Sequence, residues 1–249
     1  MLTDVGLYLD LNTVEQFLFL KAEPSKDADF IINELLMHFV KNGRSVVLLS
    51  TSQTFLHYSN VGLKLGINVK QLRENKQFVC LDVLKSFSGC FESLNNTKPE
   101  DKIASCFLQS KPTLKSVYES IKQAVENVIE NKNEFLLILD DVMLFLSFGA
   151  SVGDILDLVH YCRLLVKRYG GCLLVCSCDI TDDDDNQQMN AILTHLCDKL
   201  IVIQGLNTGH SREIDGKISL TLKDKFRRMT ETKIKYFQTE DKSVKLLSA

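Results

Sequence analysis

Short, nearly continuous apolar runs alternate along the chain with segments whose apolar residues recur at helical spacing. The runs typical of buried strands are residues 17–20, 45–49, 78–84, 135–139, 172–178 and 200–203. Between them, residues 27–41, 114–129 and 151–170 carry apolar side chains every three or four positions, as amphipathic helices do. Continuous apolar strands are typical of sheets covered on both faces, so the alternation predicts a three-layer α/β fold with a mostly parallel central sheet.

The 249 residues fit one domain, 1–249, because a chain of this length can still organise a single core. Residues 85–112 lose apolar periodicity and hold two of the three prolines, which predicts a mobile surface connection. Residues 205–249 are predicted to be a C-terminal extension of antiparallel hairpins. Asp215-Gly216 is typical of a type I′ turn between residues 211–214 and 217–222, and residues 233–238 and 244–247 suggest a second hairpin.

The composition argues against several functions, among them non-specific DNA binding and membrane spanning. The net charge of -3 argues against a surface that is basic all over and binds duplex DNA by phosphate neutralisation alone. No secretory signal opens the sequence, and the longest apolar block, residues 135–148, is too short to cross about 30 Å of hydrocarbon. The eight cysteines are therefore expected to be reduced. Cys172, Cys176 and Cys178 could share one strand face, but no C-x-x-C or H-x-x-x-H pair completes a zinc site, so buried thiols are favoured.

A phosphate-binding loop, if the chain had one, would lie in the first strand–loop–helix unit. A phosphate-binding loop needs glycines that let successive backbone N–H groups turn toward the ligand, a Lys for the β and γ oxygens, and Ser or Thr for Mg²⁺. Residues 21–29 contain none of that glycine pattern, and no glycine lies between Gly6 and Gly43. Pro24 lacks an N–H, and acidic residues occupy the loop. The sequence thus excludes an ordinary P-loop and predicts no cofactor.

Asp140 and Asp141 follow the strand at 135–139, where a carboxylate could hold Mg²⁺ through water. Without a phosphate-binding loop we favour a structural role at the strand end, and we keep as the alternative an ATPase or nucleotide-dependent enzyme with a degenerate site there. No G-x-S-x-G motif occurs, and the five histidines have no evident catalytic partner. The acidic run 182–185 lacks EF-hand spacing and is interpreted as a solvated loop. No catalytic or metal-binding residue is predicted.

Basic residues gather near Phe226 in the C-terminal part of the chain. They are Lys217, Lys223, Lys225, Arg227 and Arg228. Positive charge beside an aromatic ring can follow an RNA backbone, so this group is a candidate RNA contact. The alternative is a sheet edge that lysines keep in solution and protect from aggregation.

Three strings of the sequence resemble one protein family. Residues 57–66 (HYSNVGLKLG), residues 157–163 (DLVHYCR), and Lys235-Tyr236 with residues 241–244 (DKSV) are similar to segments of Elongator subunit six. Their order and spacing, together with the strand and aspartates at 135–141, extend the resemblance over nearly the whole chain. These strings are specific to the family and are not general catalytic motifs.

The resemblance implies a RecA-like fold without Walker motifs and a heterohexameric ring with Elongator subunits four and five, two copies each. It also implies that the ring supports wobble-uridine (U34) modification by binding tRNA, while catalysis belongs to another subunit. A scaffold without RNA contact is a further alternative. The expected location is cytoplasmic, with the nucleus as a second compartment, and no membrane partner is expected. The expected subunit-interface residues are His57, Tyr58, His160, Tyr161 and Arg163, because amphipathic rings suit contact surfaces.

Overall fold

The computed structural model describes residues 4–9, 16–26, 28–93, 103, 113–129, 134–206, 209, 211, 213–224, 226, 228–240 and 243–247. Its helices are α1 (Asp4–Leu9), α2 (Asp29–Lys41), α3 (Phe55–Lys64), α4 (Val69–Glu74), α5 (Val83–Ser93), α6 (Lys115–Ile129), α7 (Met143–Ser147), α8 (Val152–Tyr169) and α9 (Asp184–Leu196). Its strands are β1 (Phe17–Ala22), β2 (Ser45–Ser50), β3 (Phe78–Asp82), β4 (Phe135–Leu139), β5 (Cys172–Cys178), β6 (Lys199–Gln204), β7 (Gly216–Lys223), β8 (Met229–Glu240) and β9 (Ser243–Leu247). None of the helices in these ranges could span a membrane.

The described strands form one sheet in the order β3-β2-β4-β5-β1-β6-β7-β8-β9. Neighbours from β3 to β6 run parallel. The pairs β6–β7, β7–β8 and β8–β9 are antiparallel. This topology confirms the predicted α/β fold with a mostly parallel sheet and antiparallel C-terminal strands.

Separate apolar cores cover the two faces of the sheet. On β1, Phe17 and Phe19 pack with buried residues of α6 and α8, while Leu18 and Leu20 pack with those of α2. All four side chains are at most 1% exposed. Because successive strand side chains point to opposite faces, burial on both sides requires the continuous apolar runs seen in the sequence.

Helix α8 begins and ends as its sequence predicts. The Ser151 side chain accepts a hydrogen bond from the Asp154 N–H at 3.1 Å, and the Asp154 carboxylate accepts one from the Ser151 N–H at 3.1 Å. This reciprocal capping box satisfies N–H groups that have no partner inside the helix. Gly170 ends the helix with φ of 72°, a left-handed conformation that favours glycine.

The prediction of a hairpin at Asp215-Gly216 is wrong. The described residues just before Gly216 form no strand, and the two neighbours of β7 are β6 and β8. Asp215 instead accepts a hydrogen bond from the Thr239 N–H at 2.6 Å. At Gly216, a Cβ atom would approach the Gln204 carbonyl oxygen to 2.6 Å, so the glycine permits close strand packing. The second predicted hairpin is confirmed, since β8 and β9 pair with Tyr236 opposite Leu247.

Two further segments differ from the sequence prediction. Residues 85–93, predicted as part of a surface connection, belong to helix α5, and residues 94–102 and 104–112 lie outside the described residues. The acidic run 182–185 was interpreted as a loop, but helix α9 begins within it. The Asp183 side chain accepts the Asn186 N–H at 2.9 Å, because short acidic side chains cap helix starts well.

Candidate functional site

A cavity of about 370 Å³ opens where β1, β4 and β5 end. We call this end of the parallel strands the carboxyl edge. Its polar lining includes Glu23, Asp29, Ser52, Asp140 and Asp141. Open α/β sheets bind ligands outside the carboxyl ends of their strands, so this cavity is the first candidate site.

The loop after β1 is tied to the C-terminal half of the chain. The Glu23 N–H donates to the Ile203 carbonyl oxygen at 3.1 Å, and the Glu23 carboxylate accepts the Gly205 N–H at 2.8 Å. The Lys26 N–H donates to the Glu23 carbonyl oxygen at 2.9 Å. These backbone N–H groups are therefore used within the protein. They cannot converge on a phosphate as those of a P-loop do.

The two lysines near this loop are also engaged. The Lys26 ammonium donates to the Asp215 carbonyl oxygen at 2.8 Å. Lys21 forms an ion pair with Asp179 at 2.8 Å. Neither ammonium points into the cavity as a free charge for a polyphosphate.

Asp140, at the end of β4, is 3% exposed and accepts several hydrogen bonds. Its Oδ2 accepts from the Ser52 hydroxyl at 2.7 Å, the Ser52 N–H at 3.3 Å and the Tyr58 hydroxyl at 3.0 Å. Burial, and next the charge of Asp140, raise the pKa of Tyr58 well above its usual range, so the phenol stays a donor. Asp140 thus joins β4 to the connection after β2 and to α3.

Asp141 has a different environment. Its Oδ1 accepts the Met143 N–H at 2.9 Å, while its backbone exchanges two hydrogen bonds with the Thr51 hydroxyl. Burial, and to a smaller extent the charge of Asp140, raise the pKa of Asp141 from 3.8 to about 6. A carboxyl group of this kind could exchange a proton near neutral pH. However, no group of three or more His, Cys, Asp or Glu side chains within the described ranges is arranged to hold a metal ion.

The charge of the cavity opposes nucleotide binding. Glu23, Asp29, Asp140 and Asp141 line it, and Lys26 is the basic residue among its described lining. Like charges held close together repel, and the effect is strong where water is partly excluded. The four carboxyl groups outnumber this lysine, whose ammonium is bound to a backbone carbonyl oxygen, so the cavity is electrostatically unfavourable for a polyphosphate.

The predicted RNA contact does not form one compact cluster in the described residues. Lys217 and Lys223 lie at opposite ends of β7, about 20 Å apart along a strand of this length. The Lys223 ammonium donates to the Thr194 carbonyl oxygen. Arg228 is exposed, lies over the Phe226 ring at 5.3 Å and pairs with Asp224 at 3.0 Å. Lys225 and Arg227 lie outside the described residues.

Sequence reasoning missed two lysines of the same ribbon. Lys233 and Lys235 lie on β8 opposite Leu220 and Ile218 of β7. Their Lys-Ile-Lys spacing puts both side chains on one face of the strand, a signal that could have identified them. Lys217 lies opposite Tyr236, so its side chain points to the other face of the sheet from those of Lys233 and Lys235.

The predicted interface residues occupy several places. Tyr58 is 1% exposed, so its prediction as a surface residue is wrong: its ring is buried and its hydroxyl is bound to Asp140. His57 lies beside Asp29, with 3.7 Å between Nε2 and Oδ2. Arg163 covers Phe17 at the opposite end of the strands, with 5.6 Å between the guanidinium and the ring centre. His160 and Tyr161 are exposed on α8.

The sheet, with parallel strands from β3 to β6 and antiparallel strands beyond, defines an α/β protein with a RecA-like fold. A KaiC-like protein of Pyrococcus horikoshii superposes with a TM-score of 0.58 and 10% identity, covering 94% of this chain and 90% of that chain. An uncharacterised protein of the same archaeon, solved with an unknown peptide, gives 0.64 and 13%, covering 94% and 92%. At these identities the likeness shows the fold alone.

The sequence pattern of the family described as Elongation complex protein 6 matches residues 9–241. Proteins named Elongator complex protein 6 are similar along most of their length. The Xenopus tropicalis protein is 29% identical over 244 residues, covering 94% of this chain and 91% of that protein. The Danio rerio protein is 32% identical over 210 residues, covering 81% and 78%. The chain belongs to the Elongation complex protein 6 family.

Proposed function

We propose that this chain is a non-catalytic subunit of the Elongator complex. In this proposal it forms a heterohexameric ring with subunits four and five, two copies each. The ring supports tRNA wobble-uridine modification in the cytoplasm, or in the nucleus as the second compartment. The observation that carries the non-catalytic part is the loop after β1. Its Glu23 N–H, Glu23 carboxylate and Lys26 ammonium are bound to the C-terminal half of the chain, and its Lys26 N–H is bound within the loop. Family membership supports the rest.

The geometry of the carboxyl edge favours a structural use of this fold. Asp140 accepts hydrogen bonds from Ser52 and Tyr58, and so holds the edge together instead of leaving a carboxylate free for Mg²⁺. The loop after β1 is bound within the chain and does not present a nucleotide site. The function is therefore expected to depend on the outer surfaces of the fold. Assembly with partner chains is the use of such surfaces that the family suggests.

tRNA contact is supported by the β7–β8 ribbon. Lys233 and Lys235 share one face of β8, where Lys233 also pairs with Glu231 at 3.6 Å, and Arg228 with Phe226 is exposed at the turn between β7 and β8. A local basic surface is needed because the whole chain carries a net charge of -3. Lysine and arginine side chains hold phosphates, and an exposed aromatic ring can stack on a base.

The experiment that tests the proposal is co-expression of the full chain with Elongator subunits four and five, followed by native mass measurement. The expected result is an assembly with two copies of each chain. A chain that remains a well-behaved monomer and does not associate with either subunit would contradict the proposal.

The RNA part is tested separately in the same assembly. Reversing the charge of Lys233 and Lys235 to Glu is expected to weaken tRNA binding by about tenfold and to reduce its dependence on salt. Reversal of Lys64 and Lys70, which lie on α3 and α4, is the control. Unchanged tRNA binding in the ribbon variant would favour the scaffold that makes no RNA contact.

A second candidate, a nucleotide-dependent enzyme, is favoured by one observation: Asp140 and Asp141 line the cavity at the end of β4. ATP turnover by the purified chain, lost in Asp140→Asn or Asp141→Asn, would support it. The proposed function predicts no such turnover.

A further inference from the structure

A groove of about 360 Å³ lies between α6 and α8, away from the carboxyl-edge cavity. Leu114 and Leu158, 4% and 2% exposed, form its floor. The rings of Tyr118 and Tyr161 lie at one side with 5.5 Å between their centres and a tilt of 45°. The groove is thus a preformed apolar surface with two aromatic rings at its rim.

Two large side chains on the aromatic side of the groove are about half exposed. Tyr161 is 51% exposed, and Leu164, about one helical turn further along α8, is 49% exposed. Tyrosine is enriched at the centres of protein interfaces, because its large rigid ring loses little conformational entropy when it is covered. This surface suits an apolar contact with another chain.

The charges around the groove are mainly negative. Asp154 and Asp157 line it, and Lys115 is the basic residue among its described lining. Asp154 is committed to the capping box of α8. Asp157 is exposed, and no hydrogen bond or ion pair of its carboxylate is found within the described ranges. An exposed carboxylate beside two tyrosine rings suits a cation, since guanidinium and ammonium groups are attracted to ring faces.

We propose that this groove docks a basic segment of a neighbouring ring subunit. An Arg or Lys side chain of that segment lies against the rings of Tyr118 and Tyr161 and pairs with Asp157, and an adjacent apolar residue covers Leu164. The inference rests on the proposed function, because it names a contact within the ring of subunits four, five and six.

The chemistry favours a protein segment over the other occupants. RNA bases stack on tyrosine rings, but the carboxylates of Asp154 and Asp157 repel the phosphates that accompany those bases. The same carboxylates repel an anionic lipid surface. A basic protein segment satisfies the rings, the carboxylate and the apolar floor together.

The test uses the assembly of the full chain with subunits four and five. The affinity of this chain for the two partners is measured for the wild type, Asp157→Lys, Tyr161→Ala and Tyr161→Phe. Asp157→Lys and Tyr161→Ala are each expected to raise the dissociation constant about tenfold. Tyr161→Phe keeps the ring and is expected to stay within about twofold. Asp182→Lys, an exposed acidic residue before α9, is the charge control and is expected to leave affinity unchanged.

A photo-crosslinking residue at position 161 identifies the occupant in the same assembly. The expected product joins this position to a segment of subunit four or five that contains Arg or Lys. Assembly that is insensitive to Asp157→Lys and Tyr161→Ala, or a crosslink that leads to tRNA or only to this chain itself, would overturn the inference and leave the proposed function standing. Failure of the wild-type chain to associate with either subunit would overturn both.

Discussion

Two junctions at the carboxyl edge, the one after β1 and the one after β4, hold their polar groups in different ways. After β1, the Glu23 carboxylate and the Lys26 ammonium reach backbone atoms of Gly205 and Asp215 in the C-terminal half of the chain. After β4, Asp140 is buried and accepts hydrogen bonds from Ser52 and Tyr58. The first junction is partly exposed, and the second is enclosed.

In P-loop proteins these two junctions hold the phosphates and the magnesium ion of one ligand. Here each joins a different pair of elements, so the two have separate structural roles. A buried carboxylate with several donors is costly to lose, because the donors would remain desolvated without a partner. Substitutions at the β4 junction should therefore change stability more than substitutions at the β1 junction.

The largest effect is expected for Asp140→Ala. Removing the carboxylate leaves the Ser52 hydroxyl and the buried Tyr58 hydroxyl without an acceptor, which should lower the free energy of unfolding by about 3 kcal/mol. Urea unfolding followed by circular dichroism measures the change. Asp182→Ala, at an exposed position, should change stability by less than about 0.5 kcal/mol. Equal effects of the two substitutions would show that the hydrogen bonds to Asp140 do not stabilise the fold.

Asp141 should give a smaller effect that depends on pH. Its pKa in the folded chain is raised from 3.8 to about 6, so the native state binds the proton more tightly than the unfolded chain. Stability should therefore fall as pH rises through this range, by about 1–2 kcal/mol once partial solvent access is considered.

Asp141→Asn keeps an oxygen that can accept the Met143 N–H and removes the titrating group. The variant should lose the fall in stability between pH 3.8 and about 6, so its advantage over the wild type grows with pH. Unfolding curves across this range measure the difference. Parallel profiles of wild type and variant would rule out a raised pKa at Asp141.

Most of the sheet could be predicted because burial on both faces leaves a local signal. Residues 135–139 are apolar without interruption and form β4, and Ser151 with Asp154 gives the capping box of α8. These features depend on neighbouring residues in the sequence, which is why pattern alone suffices. The lack of a phosphate-binding loop could likewise be seen in one short segment, residues 21–29.

The cross-links at the carboxyl edge could not be predicted, because their partners are far apart in sequence. Tyr58 and Asp140 are separated by 82 positions, and Glu23 and Gly205 by 182. The sequence does carry a local sign of this burial, because the small residues Ser59 and Gly62 follow Tyr58 on the same helix face. Tyr58, Ser59 and Gly62 are the buried residues of α3, at the i, i+1 and i+4 positions of one helix face. Gly62 lies so close to α4 that an added Cβ would clash with the Val69 side chain.

Tyr58→Phe tests the hydrogen bond between Tyr58 and Asp140 at the β4 junction. The ring and its packing remain, while Asp140 loses one donor, so the expected loss is about 1 kcal/mol. A double-mutant cycle with Ser52→Ala separates the contributions of the two hydroxyl groups. Because both bind the same carboxylate oxygen, their effects should not be additive. Strict additivity would contradict a shared role at Asp140.

The smallest effect is expected at the β1 junction. Glu23→Gln keeps an acceptor for the Gly205 N–H and loses only the charge, so stability should fall by about 0.5 kcal/mol or less. Removing this negative charge also reduces the repulsion between the cavity and a phosphate group. The Glu23 and Lys26 N–H groups nevertheless remain bound within the protein. Mg-ATP should consequently fail to raise the unfolding temperature of either the wild type or Glu23→Gln. A rise in the variant alone would mean that charge, and not the backbone of the loop, is what keeps nucleotide out of this edge.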